Sequence, residues 1–429
     1  MKFAAVGDIL IQRRLQEGYE GLTELVPFIK QADASFFNLE TTLHYEGECY
    51  ASQFSGGTYI RTDPDVLEDI KKFGFHMTSF NNNHALDFSY KGLERTLDEV
   101  KKSGLVNSGV GRNLGEASAP NYLDTPNGRV ALISVNTSFE PCMMAGIQSE
   151  RVPGRPGING MRIEEYIEVT AKQLESIKEI AESTNINAER NIDRSQGYLP
   201  DLEDHIAEFG PLRFVLGDTS RHVKKLNQTD MKRIEKSIYE AKLQADYIMV
   251  SVHSHELVGD REENVPDFLR EFAHNCIDAG ANAIVGHGPH LLRPIEVYKD
   301  SPIFYSLGDF VLQLYSVAFA PEDFYARYGL TSKATIHELL KTRSKNFQIG
   351  LMEDDRMLTT VIPYWETEGT KLKKLILMPV KLMKEGNKSQ IGLPRRTTGE
   401  EIASYLGNMS LPYGTTITVE QDGTLSCMW

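Results

Sequence analysis

Thiol chemistry is nearly absent from this sequence. Its 429 residues include four cysteines, Cys49, Cys142, Cys276 and Cys427, and none forms a Cys-x-x-Cys pair. That argues against a zinc ribbon or a disulfide framework and makes reduced thiols the expectation. Long apolar runs are missing as well. No stretch approaches the ~20 residues that a membrane span needs. The opening MKFAAVGDIL has one lysine and a short apolar segment that runs straight into Gly7-Asp8. A signal peptide needs a longer apolar core and a small-residue cleavage site. The expectation is a cytoplasmic protein with no export signal and no anchor. Cationic clusters are lacking too. The net charge is −14 and no Lys/Arg block stands against it, so nucleic acid is not an expected partner. There is no internal repeat and no low-complexity tract.

What is present is a strand-helix alternation. KFAAVGD, ASFFNLE and FHMTSFNNN read as buried strands, and residues 22 to 32 as a helix. DPDVLEDIKKFG reads as a helix opened by Asp63 with Pro64 at its first position, and SYKGLERTLDEVKKSG as one closed by Gly104. RVALISVN, DYIMVSVHSHE and ANAIVGHGPH read as further strands, and RPIEVYKDSPIFYSLGDFV as a hairpin turning near Asp300. Such alternation predicts an α/β fold with parallel strands and helices on the sheet faces. Residues 137 to 235 interrupt it as a mostly helical insertion, with 164 to 183 read as helix. Residues 318 to 342 also read as helical, and NFQIGLMED, MLTTVIPYW and KKLILMPVKLM as a β-rich C-terminal extension. The division expected is 1–315 as the main domain and 316–429 as the extension.

In parallel sheets, ligands bind at the carboxyl ends of the strands. Asp8, Glu40, Asn83-His84, His253 with His255, and His287 with His290 all fall at expected strand ends. Each alone is weak. A Gly-Asp pair is usually a turn, a run of asparagines suits turns, and a lone histidine is more often structural than a ligand. As a set in register they suit a divalent metal such as Mn, Zn or Fe.

GDILI, FFNLETTL, NNHALDF, GVGRN followed by EASAP, GHGPHLLRPIEVY and IFYSLGDFV resemble the CapA-type family of poly-γ-glutamate capsule biosynthesis over about residues 1 to 315. The resemblance implies a calcineurin-like metallophosphatase fold, a layered sheet/helix architecture. It implies one or two metal ions, with Asp8 and His290 on one, Glu40 bridging, and Asn83, His253 and His287 on the second. His84 would protonate a leaving group, oriented by Asp87. Three departures from the metallophosphatase pattern stand out: Leu10 where a first-motif histidine is usual, His253-Ser254-His255 where His-Trp-Gly is frequent, and Gly288 where a second histidine is common. If the strand continues, His253 and His255 point to opposite faces.

The function implied is a metal-dependent hydrolase that uses metal-activated water on a phosphoester or a γ-glutamyl or peptide-like amide. The alternatives are a non-catalytic component of poly-γ-glutamate synthesis and a metal-free binding protein. The substrate expected is a small-molecule or peptide-like anion. Tyr59 and Arg61, Arg151 and Arg155, and His255 are candidates to face it, because arginine forks suit phosphate and carboxylate.

Overall fold

The computed structural model describes residues 1–429 and is mixed α/β, in two compact units. The first comprises Met1–Met161 and Lys232–Trp429, the second Arg162–Met231.

Two sheets pack face to face in the first unit. One has ten strands, with Lys2–Leu10, Ala34–Leu39, Met77–Ser79 and Val106–Ser108 side by side and parallel. The other has six, and Gly128–Asn136, Tyr247–His253, Ala283–His287 and Ser301–Phe304 run parallel at its centre. Phe3, Phe36 and Met77 of the first sheet share one buried cluster with Leu132, Tyr247, Val285 and Phe304 of the second. Phe3 stacks on Tyr247 at 4.0 Å between ring centroids. The opposite face of the first sheet meets helices Glu20–Ile29, Val66–Lys72 and Ser89–Ser103 through Val6, Ile9, Leu25, Ile70 and Leu93. Apolar residues on both faces of every central strand require this burial from both sides.

Residues 316–429 belong to the same unit. Thr359–Glu368 lies antiparallel beside Lys2–Leu10, and Trp365, wholly buried, packs on Phe3. Two short helices, Glu322–Ala326 and Ile336–Arg343, replace the long helix expected over 318 to 342. NFQIGLMED is not a strand: Asn346 and Phe347 have left-handed φ, and Leu351–Glu353 is a single 3-10 turn. The helix expected to open at Asp63 begins at Val66, after a turn over Pro64 and Asp65.

The second unit corrects the helix expected over 164 to 183. Ile163–Val169 is a strand, paired on one side with Leu212–Leu216 and on the other with Arg221–Leu226. The alternating IEEYIEV satisfies a strand's period of two. The helix Ala171–Thr184 starts only after the Thr170–Gln173 capping box. The polar run that follows is helical over Ala188–Ser195.

Candidate metal centre

The carboxyl ends of the parallel strands place the polar residues. Asp8 lies at a register irregularity two residues before the end of its strand, opposite Asn38 and Asp309, and His253 lies opposite His287. Gly7 permits the close approach at this point, since a Cβ there would sit 1.8 Å from the Gly308 carbonyl oxygen. Asp8, Glu40, Asp309, His253 and His287 are all essentially inaccessible to solvent.

Two donor groups share Glu40, and a third joins Asp8, His253 and His287. In the first, ligand atoms of Asp8, Glu40, His290 and Asp309 lie within 4.8 Å of one another. Asp8 Oδ1 accepts from Asn38 Nδ2 at 2.7 Å and Oδ2 accepts from the Gly288 N–H at 2.9 Å. His290 Nδ1 meets Asp309 Oδ1 at 2.9 Å, while Asp309 Oδ2 is buried without a partner. In the second group, His253 Nε2 lies 2.9 Å from Asn83 Oδ1, 3.0 Å from His255 Nε2 and 3.7 Å from Glu40 Oε1. Donors held on one ion at about 2.0–2.2 Å each must themselves lie roughly 3–4 Å apart, so these separations fit a cation. Both Glu40 oxygens are buried with no hydrogen-bond partner. A folded protein rarely leaves such an acceptor unpaired unless something absent from the chain completes it.

The electrostatics agree. Burial, then the charge of Asp309, pushes Asp8 up to about 7. Burial, with Asp8 and Asp309 close by, holds the Glu40 carboxyl well above the carboxylate range. Burial also raises Asp309. It drives the imidazoles of His253 and His255 well below their ordinary value, helped by the neighbouring histidines, and His287 down to about 3. For His290, burial is outweighed by Asp309, and the pKa is raised. Clustered carboxylates that resist ionisation and imidazoles that resist protonation form a donor set whose chemistry suits a divalent cation.

Several expectations are revised. The strand stops at His253, so the chain turns and brings the His255 ring back to His253 Nε2 rather than to the opposite face. His255 therefore adds a donor beside Asn83 and Glu40. His287 lies on the other side of the His253 ring, with Nδ1 2.9 Å from His253 Nδ1 and 3.5 Å from Asp8 Oδ1 and its Nε2 on Ser251. Leu10 points into an apolar cluster with Ile60, Leu312 and Leu314. Gly288 has φ +120°, a conformation that a histidine would strain to adopt.

Asp309 and Asn38 were not singled out in the sequence. A signal was available for Asp309. Gly-Asp occurs four times, at Asp8, Asp218, Asp260 and Asp309, and Asp309 is the one that lies in the expected hairpin and proves the register partner of Asp8.

His84 donates from Nδ1 to Asp87 Oδ2 at 2.7 Å, and its Nε2 lies 3.8 Å from Glu40 Oε1. Asp87 also accepts the N–H groups of Gly56 and Ile60 at 2.9 Å each. The Gly56 carbonyl in turn accepts from Asn83 Nδ2 at 2.9 Å, which leaves Asn83 Oδ1 for the histidines. Asn82 Nδ2 reaches Asn38 and the Leu39 carbonyl, and Asn81 Nδ2 reaches the Ser134 carbonyl. These two amides therefore lock strand ends together.

The remaining candidates stand apart. Tyr59 is buried against Phe88 and Phe324 and donates to the Ser52 carbonyl. Arg61 binds the His44 carbonyl and Asp63, with its guanidinium over Phe319. Arg155 donates to the Met144 carbonyl, and Arg151 is exposed on the same loop. No helix is long and apolar enough to cross a membrane.

A protein from Thermus thermophilus, whose solved structure is described as that of a hypothetical protein, is aligned over 89% of this chain and 99% of its own, at 10% identity and a TM-score of 0.41. The uncharacterized protein y4sH of Sinorhizobium fredii is 31% identical over 433 residues, covering 97% of this chain and 90% of that protein. The capsule biosynthesis protein CapA of Bacillus anthracis is 24% identical over 313 residues, 71% of this chain and 58% of CapA. The model of the bacterial capsule synthesis protein family PGA_cap matches residues 2–314, and the chain belongs to that CapA-type family.

Proposed function

We propose that this protein is a metal-dependent hydrolase with a calcineurin-like catalytic layout, cleaving a phosphoester or a peptide-like amide. One observation carries the reading: the buried Glu40 carboxylate, with both oxygens unpartnered, lies between two groups of metal-competent donors. Asp8, His290 and Asp309 would hold one cation, and Asn83, His253 and His255 a second, with Glu40 common to both. A divalent metal bound there supplies Lewis acidity toward the electrophile and toward water.

The chain's own residues supply the rest. Asp87 fixes the His84 imidazole with its proton on Nδ1, so that Nε2 faces the donor groups and, once protonated, delivers a proton to the departing group. Asn38 and the Gly288 N–H hold the Asp8 carboxylate in place. Gly56 orients the Asn83 amide. A purely structural protein has no use for three mutually close buried carboxylates. That weighs against a non-catalytic or metal-free role, the alternative suggested by relatives named for capsule or polyglutamine synthesis.

Elemental analysis after incubation with manganese or zinc, combined with a panel of aryl phosphates and glutamyl amides, tests the reading. Asn83→Ala and His253→Ala are expected to lose metal. His84→Ala is expected to keep metal and to lose about 10²–10⁴-fold in rate. A full chain that takes up neither metal would sink the proposal.

A further inference from the structure

The donor groups open onto a cleft of about 470 Å³ that has Asn83 and His255 in its wall. Its other walls have a definite character. Phe54, Phe139 and Met143 make an apolar side, and Glu140 and Glu256 make an acidic one. No lysine or arginine lines it. Glu256 Oε2 is held by the hydroxyls of Thr137, Ser138 and Ser254 at 2.6, 2.9 and 2.7 Å, so hydroxyls rather than a base fix this carboxylate. Arg293, the buried guanidinium nearby and not part of the wall, donates from Nε and Nη2 to the backbone carbonyls of Glu262 and Glu256, while its Nη1 is buried without a partner. Arg61, Arg151 and Arg155 are absent from the wall, and Arg61 and Arg155 are committed elsewhere. Glu140 stands exposed at the rim.

We propose that this cleft selects a peptide-like amide whose group beside the scissile bond is apolar and bears an ammonium, and that it rejects polyanions. The inference rests on the metal-hydrolase reading and narrows it from two bond types to one. It also replaces the anionic substrate expected from the sequence. One anionic or polarised oxygen of a ligand is accommodated at the donor groups. Any further negative charge meets Glu140 and Glu256 with no arginine to receive it. An ammonium finds two carboxylates, and an apolar side chain finds two aromatic rings and a thioether. In the cleavage, water adds its oxygen to the carbonyl carbon and the C–N bond breaks. Protonated His84 gives its proton to the departing amine, one proton of the water restores His84 and the other passes to solvent, so the acid leaves as a carboxylate and the amine leaves neutral.

Three probes with one common metal-binding head separate the possibilities. They are phenylalanine hydroxamate with its free ammonium, its N-acetyl derivative and its N-succinyl derivative. Each is titrated calorimetrically into the full-length, manganese-loaded chain, alongside elemental analysis. The ammonium form is expected to bind best and the succinyl form worst, about tenfold or more apart, from two carboxylates at close range. Glu140→Gln is expected to narrow that spread several-fold while metal content stays unchanged. Equal affinities, or a preference for the succinyl form, would overturn the proposal. So would metal-loaded protein that binds none of the three. Protein that holds no metal and binds none overturns the metal-hydrolase reading instead, and this inference with it.

Discussion

Replacing Glu40 by methionine, an apolar residue of similar length, separates a metal ligand from a structural acid. Glu40 is wholly inaccessible, and neither carboxylate oxygen has a hydrogen-bond partner. Its pKa is held well above the carboxylate range by burial and by Asp8 and Asp309, and in the metal-free protein neither oxygen is satisfied. Each unsatisfied buried polar group costs about 1–3 kcal/mol. Replacing it with an apolar group of similar shape removes that cost, since a core accepts such swaps with little loss. Metal-free Glu40→Met is therefore expected to be about 2–4 kcal/mol more stable than the parent. Excess metal reverses the order. Ligand at a thousand times its dissociation constant stabilises the parent by about 4 kcal/mol, and the variant, with both donor groups broken, gains little. Calorimetric melts of EDTA-treated and manganese-saturated protein, with metal measured by elemental analysis, follow both effects. A metal-free variant less stable than the parent, or one that retains full metal, would refute the reasoning.

Three further outcomes follow from the same geometry. Asp8, pushed up from an ordinary 3.8 to about 7, keeps a proton in the folded state that the unfolded chain has already released. Metal-free stability contributed by this group therefore falls as pH rises between those values. Metal takes the deprotonated form, so the gap in melting temperature between loaded and EDTA-treated protein should widen from about pH 5 to about pH 7.5; a gap independent of pH argues against Asp8 as a ligand. Gly56→Ala places a Cβ 2.7 Å from Asn83 Nδ2 and 2.8 Å from the His84 ring. It should lower metal affinity and rate together, with little change in the melt of the metal-free protein, and normal kinetics would show that the loop does not bear on the site. Asp309→Asn, which removes the charge of a proposed ligand, should weaken metal binding by at least about 10–100-fold, the loss seen when groups that only support metal ligands are changed, and unchanged affinity in a titration would leave His290 and Asp8 as sufficient.

The sequence by itself determined the α/β alternation and set Glu40, His253 and His287 at strand ends, because strand and helix periods and their caps are local properties, whereas Asp8 lies two residues inside Lys2–Leu10 and the strand expected to reach Asn83 stops at Ser79, which leaves Asn83 and His84 in the turn beyond it. It misread IEEYIEV as helix, since glutamate-rich composition outweighed a period of two that only strand partners on both sides made decisive. Which residues share an ion's surroundings was not legible. His255 joins Asn83 and Glu40 because the strand ends at His253, three residues short of the expected Glu256, and His287 sits instead with His253 and Asp8 in a donor group of its own. Asp309 enters because the strand Asp309–Leu312 returns, some three hundred residues later, to lie parallel beside Asp8. The arginines that the sequence offered to an anion are taken up by backbone carbonyls, by Asp63 or by solvent, and the cleft is left to carboxylates and rings. Residue types at strand ends can be read one at a time. Distances between side chains on different strands, and so the site's chemistry, follow only from sheet register and from where each strand stops.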